Sequence, residues 1–300
     1  MDAAGTAAFA AIARAITAVS GLNCAPSPEQ RVAGGAGQGC YRWPAGGGSI
    51  FVKVAARAAD AAFEAEVVGL TELARAGALR VPRVLASGGA DATAYLALEW
   101  IEAHPPTDES ERRLGEGLAA QHAVQTSRYG FPRDNTIGPT PQANGWSNDW
   151  LEFFRERRLR PQLALAARRG FTALLAQHGE RLIEALPALL AGHAPAASLL
   201  HGDLWGGNWL AAAGGEPVVF DPAVYYGDCE ADLAMTQLFG GFGPSFYRAY
   251  QSVRPPAPGA QIRSQLYNLY HVINHANLFG RGYAQQARAM IEQLLAEVRG

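Results

Sequence analysis

Lysine is almost missing from this chain: of 25 basic residues, only Lys53 is a lysine. Neither sign of charge is in excess. The 25 basic and 27 acidic residues leave a net charge of −2, which argues against a nucleic-acid partner and leaves no acidic tail. No apolar run is long enough to span a bilayer, so no membrane partner is expected. The Ala-rich stretch from Ala3 to Val19 lacks a basic leader and is interrupted by Arg14, so it reads as an amphipathic helix and not a secretory signal. Cysteine is scarce. Cys24, Cys40 and Cys229 are odd in number and have no metal-ligand spacing, which points to a reducing cytoplasm. Charged residues at 17% against 49% hydrophobic exclude a mostly disordered chain. Three hundred residues suggest one large domain or two lobes.

The surviving lysine stands in Ser49-Ile50-Phe51-Val52-Lys53-Val54, a strand-like run next to Gly46-Gly47-Gly48. Such a run is a poor place for a dispensable charge. Arginine is a rigid fork and lysine a compact point charge, so a site that takes only the point charge is a functional expectation. Around it, a glycine-rich hairpin precedes the strand, a helix spans Ala58 to Ala76, and two strands cover Val81–Leu85 and Ala94–Ile101. The first lobe is therefore expected over 1–101, as strands with one internal helix. The second, 102–300, reads as mostly helical, with one helix over Asp149–Leu165 among others and one small hairpin at 209–211 and 217–220.

The segment His201-Gly202-Asp203-Leu204-Trp205-Gly206-Gly207-Asn208 holds an Asp and an Asn on one loop, and Asp221 ends the strand that follows. Phosphoryl transfer needs a carboxylate to take the acceptor hydroxyl's proton, which suits Asp203. It also needs hard oxygen ligands for Mg²⁺, which suit Asn208 and Asp221. Each residue alone is more often a turn cap; all three together, with an upstream glycine loop and a lone strand lysine, favour ATP chemistry. Gly34, Gly35 and Gly37 would lay backbone N–H groups over phosphates. Lys53 would reach the α- and β-phosphates, and Glu66, on the buried side of its helix, is its expected partner while Glu64 stays solvated. Glu99, Trp100 and Ile101 would form a hinge whose backbone bonds an adenine edge.

Leu199 to Asn208 resembles the catalytic loop of the fructosamine kinase (ketosamine-3-kinase) family, within the protein-kinase-like superfamily that includes aminoglycoside and choline kinases. Asp221-Pro222-Ala223, Tyr226-Gly227, Phe239-Gly240-Gly241-Phe242, Asn144 to Trp150, Arg158-Leu159 and Asn274-His275-x-Asn277 with Phe279-Gly280-Arg281-x-Tyr283 carry the same resemblance. It departs at the glycine loop and at Gly206, where a serine is common and a tight turn is the expected role. The resemblance implies a bilobal α+β kinase-like fold and ATP with Mg²⁺ as cofactors. It also implies an acceptor that is a ketosamine, free or on a protein lysine, phosphorylated at O3 in a deglycation reaction. Trp205, Asn274, His275 and Asn277 are expected at that acceptor. Alternatives are an aminoglycoside or amino-alcohol kinase, or a silent nucleotide-binding pseudokinase. Asp228 is expected to cap a helix and Asp232 to brace the catalytic loop. His122, His178 and His193 are expected on the surface or on a helix face.

Overall fold

The computed structural model describes residues 3–33 and 38–298. The chain divides into two compact units, Met1–Pro106 with Leu210–Asp221, and Thr107–Trp209 with Pro222–Gly300. The first unit opens with α1 (Ala3–Ser20), then β1 (Gln30–Ala33), β2 (Gln38–Ala45), β3 (Gly48–Ala56), α2 (Asp60–Ala76), β4 (Val84–Ala90) and β5 (Thr93–Glu99). The strands form one antiparallel sheet in the order β1-β2-β3-β5-β4. Alternation along each strand splits the core in two. Ile50, Val52 and Tyr95 face Ile12 and Ile16 of α1, while Leu96 and Leu98 face Phe63 and Leu70 of α2. Lys53 follows Phe51 by two positions and so shares the α2 face. Helix α2 stops at Gly77, whose φ of 67° is the left-handed value of a C-terminal cap.

The second unit begins with α3 (Asp108–Gln121), whose Thr107 and Ser110 form a reciprocal capping box. It continues through β6 (Gln125–Thr126), β7 (Asn135–Ile137), β8 (Thr140–Gln142), α4 (Trp150–Phe154), α5 (Arg160–Ala166), α6 (Thr172–Leu189) and β9 (Ala197–Leu200). The chain passes to the first unit in β10 (Trp209–Ala211) and β11 (Pro217–Val219), then returns for β12 (Tyr225–Gly227), α7 (Glu230–Leu238), α8 (Pro244–Val253), α9 (Ala260–Phe279) and α10 (Arg281–Glu297). β12, β9 and β6 form a small antiparallel sheet, with β9 in the middle and buried throughout. Helix α9 is the core of this unit, and almost every residue from Leu266 to Asn277 is buried.

Three expectations meet differences. The sequence ends the first lobe's strands at Ile101, puts the boundary near Glu102 to Thr107 and leaves the 209–220 hairpin with the second lobe; in the structure the first unit runs to Pro106, within that range, but also takes in Leu210–Asp221. Local contacts explain this. The His104 N–H donates to the Ala211 carbonyl at 2.8 Å, the Val219 N–H to the Arg80 carbonyl at 3.0 Å, and Arg80 bridges Glu99 and Glu216, both at 2.6 Å. The helix expected over Asp149–Leu165 runs unbroken from Trp150 to Ala166 but widens by a π turn at Arg155–Leu159. The strand expected from Val81 starts at Val84, beyond Pro82, which has no N–H for a ladder. Among the described residues, no helix is long and apolar enough to cross a membrane.

Candidate active site

In the first unit, β3 carries Lys53 opposite Cys40 of β2 and Leu96 of β5. The ammonium is 2% exposed and donates to Glu66 Oε1 at 2.7 Å and to Asp221 Oδ1 at 2.5 Å. Burial alone would lower the Lys53 pKa, but the two carboxylates outweigh it and hold the ammonium well above its usual range. Burial works the other way on Glu66 and, despite Lys53, pushes its carboxyl up to about 7. Glu64 lies exposed on the far side of α2. Asp221 sits just past β11 at a φ of 56°, left-handed backbone that Asp tolerates better than most residues and that strained functional turns often hold. Burial also raises the Cys40 thiol, which keeps it protonated and a poor nucleophile. Trp100 and Ile101 lie past the end of β5, beyond its ladder; the Glu99 carboxylate accepts from Arg80 and from the Arg83 N–H. Gly34, Gly35 and Gly37 lie outside the described residues.

In the second unit, buried β9 delivers His201 to Asn208 as a loop. Asp232, at the start of α7, holds that loop by its backbone. Its two oxygens accept the His201 N–H at 2.7 Å and the Gly202 N–H at 2.8 Å. Asp232 is buried, which by itself would raise its pKa, but His122, His201 and the Gly202 N–H hold it below the usual carboxylate range. Gly202 has a φ of 82°, and a Cβ there would lie 2.1 Å from the Ala223 carbonyl. The turn therefore requires glycine. Next to it, half-exposed Asp203 receives the Asn208 amide, which donates to the Asp203 carbonyl at 2.8 Å and to its Oδ2 at 3.3 Å. Because the Asn208 NH₂ is spent there, its Oδ1 is the atom left for a hard cation.

Trp205 leaves the loop outward: its ring lies over Gly207 and is 40% exposed. Gly206 sits in the expected tight turn, closed by the Asn208 N–H on the Trp205 carbonyl at 2.9 Å, and it also permits a close approach, since a Cβ there would meet the Gly240 carbonyl at 2.9 Å and the Gly241 Cα at 3.0 Å. Asn274 and Asn277 point elsewhere. Both are buried on α9 and bind Gln162 of α5, whose amide donates to Asn274 at 3.2 Å and whose side-chain oxygen accepts from Asn277 at 2.8 Å. His275, one position on, is half-buried against Phe239, Phe279 and Tyr283.

The profile of the fructosamine kinase family matches residues 8–297. The chain belongs to that family. A Synechocystis protein named as a probable ketoamine kinase is 43% identical over 95% of this chain and 96% of its own length. The chloroplastic protein-ribulosamine 3-kinase of Oryza sativa subsp. indica is 41% identical over 85% of this chain and 75% of its own. A solved structure from Haemophilus somnus, named for fructosamine-3-kinase, superposes with a TM-score of 0.89 at 26% identity, over 97% of this chain and 99% of that one. An aminoglycoside phosphotransferase solved with ADP and hygromycin B shares the kinase-like fold alone, at 18% identity and a TM-score of 0.60 over 97% of this chain and 99% of that one.

In this member of the fructosamine kinase family the residues that shape the loop were only partly visible in sequence. His122, read as a surface or helix-face residue, is fully buried; its ring nitrogens meet Tyr250 at 2.8 Å and Asp232 at 3.2 Å. The signal was present in the spacing, because Leu114, Leu118 and His122 share one stripe of α3. Asp228, expected to cap α7, lies one residue before its N-cap Cys229 and accepts the Glu230 N–H at 3.0 Å; it also takes Tyr267 and His193, both at 2.6 Å. Glu230 is held by the Arg263 fork at 2.6 and 2.8 Å. His193, Asp228 and Glu230 lie close enough to hold a metal, but these partners already satisfy them. Arg158 went without a role. It is fully buried, its guanidinium lies 4.0 Å from the Tyr225 ring centroid and 4.7 Å from that of Phe153, and it donates to the Ala143 carbonyl at 2.6 Å and Asn144 Oδ1 at 2.7 Å. It thereby fastens the 143–144 loop to the small sheet.

Proposed function

We propose that the protein transfers the γ-phosphoryl of ATP to O3 of a ketosamine, an adduct of a sugar with an amine, free or on a protein lysine. The observation that carries this reading is the catalytic set itself: a buried Lys53–Glu66 pair in one unit and, in the other, a braced loop offering Asp203 and an exposed Trp205. The relatives' names supply the ketosamine. Lys53 neutralises the α- and β-phosphates, and the Glu99–Ile101 backbone meets the adenine. The oxygens of Asn208 and Asp221 suit Mg²⁺, which, when bound, supplies charge stabilisation at the transferring phosphoryl. Asp203 orients the O3 hydroxyl and takes its proton. Trp205 forms a flat wall for the sugar, and its ring attracts the adjacent secondary ammonium. The Nδ1 of His275 donates to the His271 carbonyl at 2.8 Å, which leaves Nε2 to accept from a substrate hydroxyl. Asn274 and Asn277, engaged with Gln162, serve the acceptor by setting the position of His275 on α9. A phosphate leaves far more readily than hydroxide, so the phosphorylated adduct breaks down and the amine is regenerated. Three free thiols suit a reducing cytoplasm.

The test is a phosphorylation panel of fructosyl-, ribulosyl- and erythrulosyl-amines beside aminoglycosides and choline, with ATP–Mg²⁺ and product mass spectrometry. Phosphate on the ketosamine sugar is expected. Modification of an aminoglycoside or choline alone would refute the acceptor, and no turnover at all would refute the kinase. Asp203→Asn should lower kcat by about 10²-fold or more with little change in KM. A wild-type rate in that variant would remove Asp203 from the base role.

A further inference from the structure

Large aromatic side chains are exposed at three positions among the described residues, Trp205, Phe239 and Phe279, at 40%, 41% and 63%. They are not scattered. Trp205 meets the Phe239 ring edge-on at 6.3 Å, Phe239 meets His275 at 4.9 Å, and His275 meets Phe279 at 5.4 Å and Tyr283 at 5.2 Å. The result is one ribbon of rings that starts two residues from Asp203 and runs outward over the ends of α7 and α9. Phe239 ends α7 and is followed by Gly240 and Gly241; Phe279 ends α9 and is followed by Gly280. The bare contact between Gly206 and Gly240–Gly241 lets the Phe239 turn abut the catalytic loop, so the ribbon is continuous. The Trp205, Phe239, Phe279 and Tyr283 rings carry no formal charge. Beyond the sugar wall at Trp205, the exposed faces of Phe239 and Phe279 suit an apolar chain.

Resting on the ketosamine reading, we propose that the outer part of this ribbon is the subsite for the amine side of the acceptor: with the sugar at Asp203, Trp205 and His275, the alkyl stem of a lysine adduct lies along Phe239 toward Phe279 and Tyr283. A lysine stem has four methylenes and an apolar flank, and such stems lie along apolar surface while the polar end stays in water. The secondary ammonium stays at the Trp205 end, where the ring quadrupole favours it. Phe239 and Phe279 are thus specificity-determining residues that make no contact with the reacting atoms. Each fully buried methylene is worth about fourfold in binding, and an open ribbon covers one side of the stem, so about twofold per methylene is expected.

The experiment compares KM for the ribulosyl adducts of methylamine, butylamine and Nα-acetyl-lysine amide, in the wild type and in Phe239→Ser/Phe279→Ser. Both substituted rings are exposed, and the fold is checked by circular dichroism. In the wild type, KM should fall about tenfold from the methylamine to the lysine adduct. The double variant should lose most of that gap, with its KM for ATP unchanged. Equal chain-length dependence in both proteins, or none in the wild type, would overturn the subsite while leaving the ketosamine reading intact. No phosphorylation of any adduct by the wild type would overturn both.

Discussion

Replacing Lys53 by methionine keeps most of the side-chain volume on β3 and removes the charge that faces two carboxylates. The Asp221 side chain is 39% exposed, so solvent screens much of that partner's loss, and it costs about 1 kcal/mol. Glu66, with a side chain only 14% exposed, behaves differently. Its carboxyl already sits at about 7 with Lys53 lowering it, so without Lys53 it moves higher still. An acid whose folded pKa is raised is most favourable below its unfolded value, and its contribution is lost as pH rises through the folded one. Near pH 6 Glu66 is protonated in both proteins, and the variant's deficit is about 1 kcal/mol, from Asp221 alone. Above pH 7 the wild type ionises Glu66 against Lys53, whereas the variant cannot. The deficit then grows by up to about 1.4 kcal/mol per pH unit, reaching about 2–3 kcal/mol at pH 8. Urea unfolding of Lys53→Met at pH 6 and pH 8 reads this directly, and adding Glu66→Gln should flatten the dependence. A deficit equal at both pH values, or one that Glu66→Gln leaves unchanged, would refute the electrostatic account. Phosphoryl transfer should be lost in Lys53→Met and also in Lys53→Arg, whose fork does not fit the space of an ammonium.

Two further outcomes follow from the second unit. Gly202→Ala should displace the catalytic loop, because its Cβ would lie 2.1 Å from the Ala223 carbonyl; kcat should fall at least tenfold with a loss of about 1–3 kcal/mol in stability, and a wild-type rate would show that the loop does not need this turn. His271 is buried, and burial with His275 nearby lowers its pKa to about 3. The folded protein therefore holds it neutral while the unfolded chain protonates it, so its contribution is present above about pH 6.5 and is lost as pH falls, by up to about 1.4 kcal/mol per unit. His271→Phe should reduce the slope of stability against pH between pH 6 and pH 4 in urea titrations, and an unchanged slope would assign the acid limb to other groups.

The sequence alone determined the chemistry-bearing residues and their local settings. Alternation in β3 put Lys53 on the α2 face, and the position of Glu66 beside Phe63 and Leu70 selected it over Glu64, because both are short-range periodicities that a strand and a helix impose on their own residues. The His201–Asn208 loop and the 209–220 hairpin were legible for the same reason: their signals are glycines and alternating apolar residues close in the chain. Tertiary structure alone decided what lay far apart in sequence. It assigned Leu210–Asp221 to the first unit through His104, Arg80 and Glu99, and brought Asp221 to within 2.5 Å of Lys53. It turned His122 inward onto Asp232, and gave the Asn274 and Asn277 side chains to Gln162. An asparagine on a helix looks the same in sequence whether it faces a ligand or a neighbouring helix. Only the packing of α9 against α5 distinguishes the two, because a buried amide must find a partner wherever the fold places one.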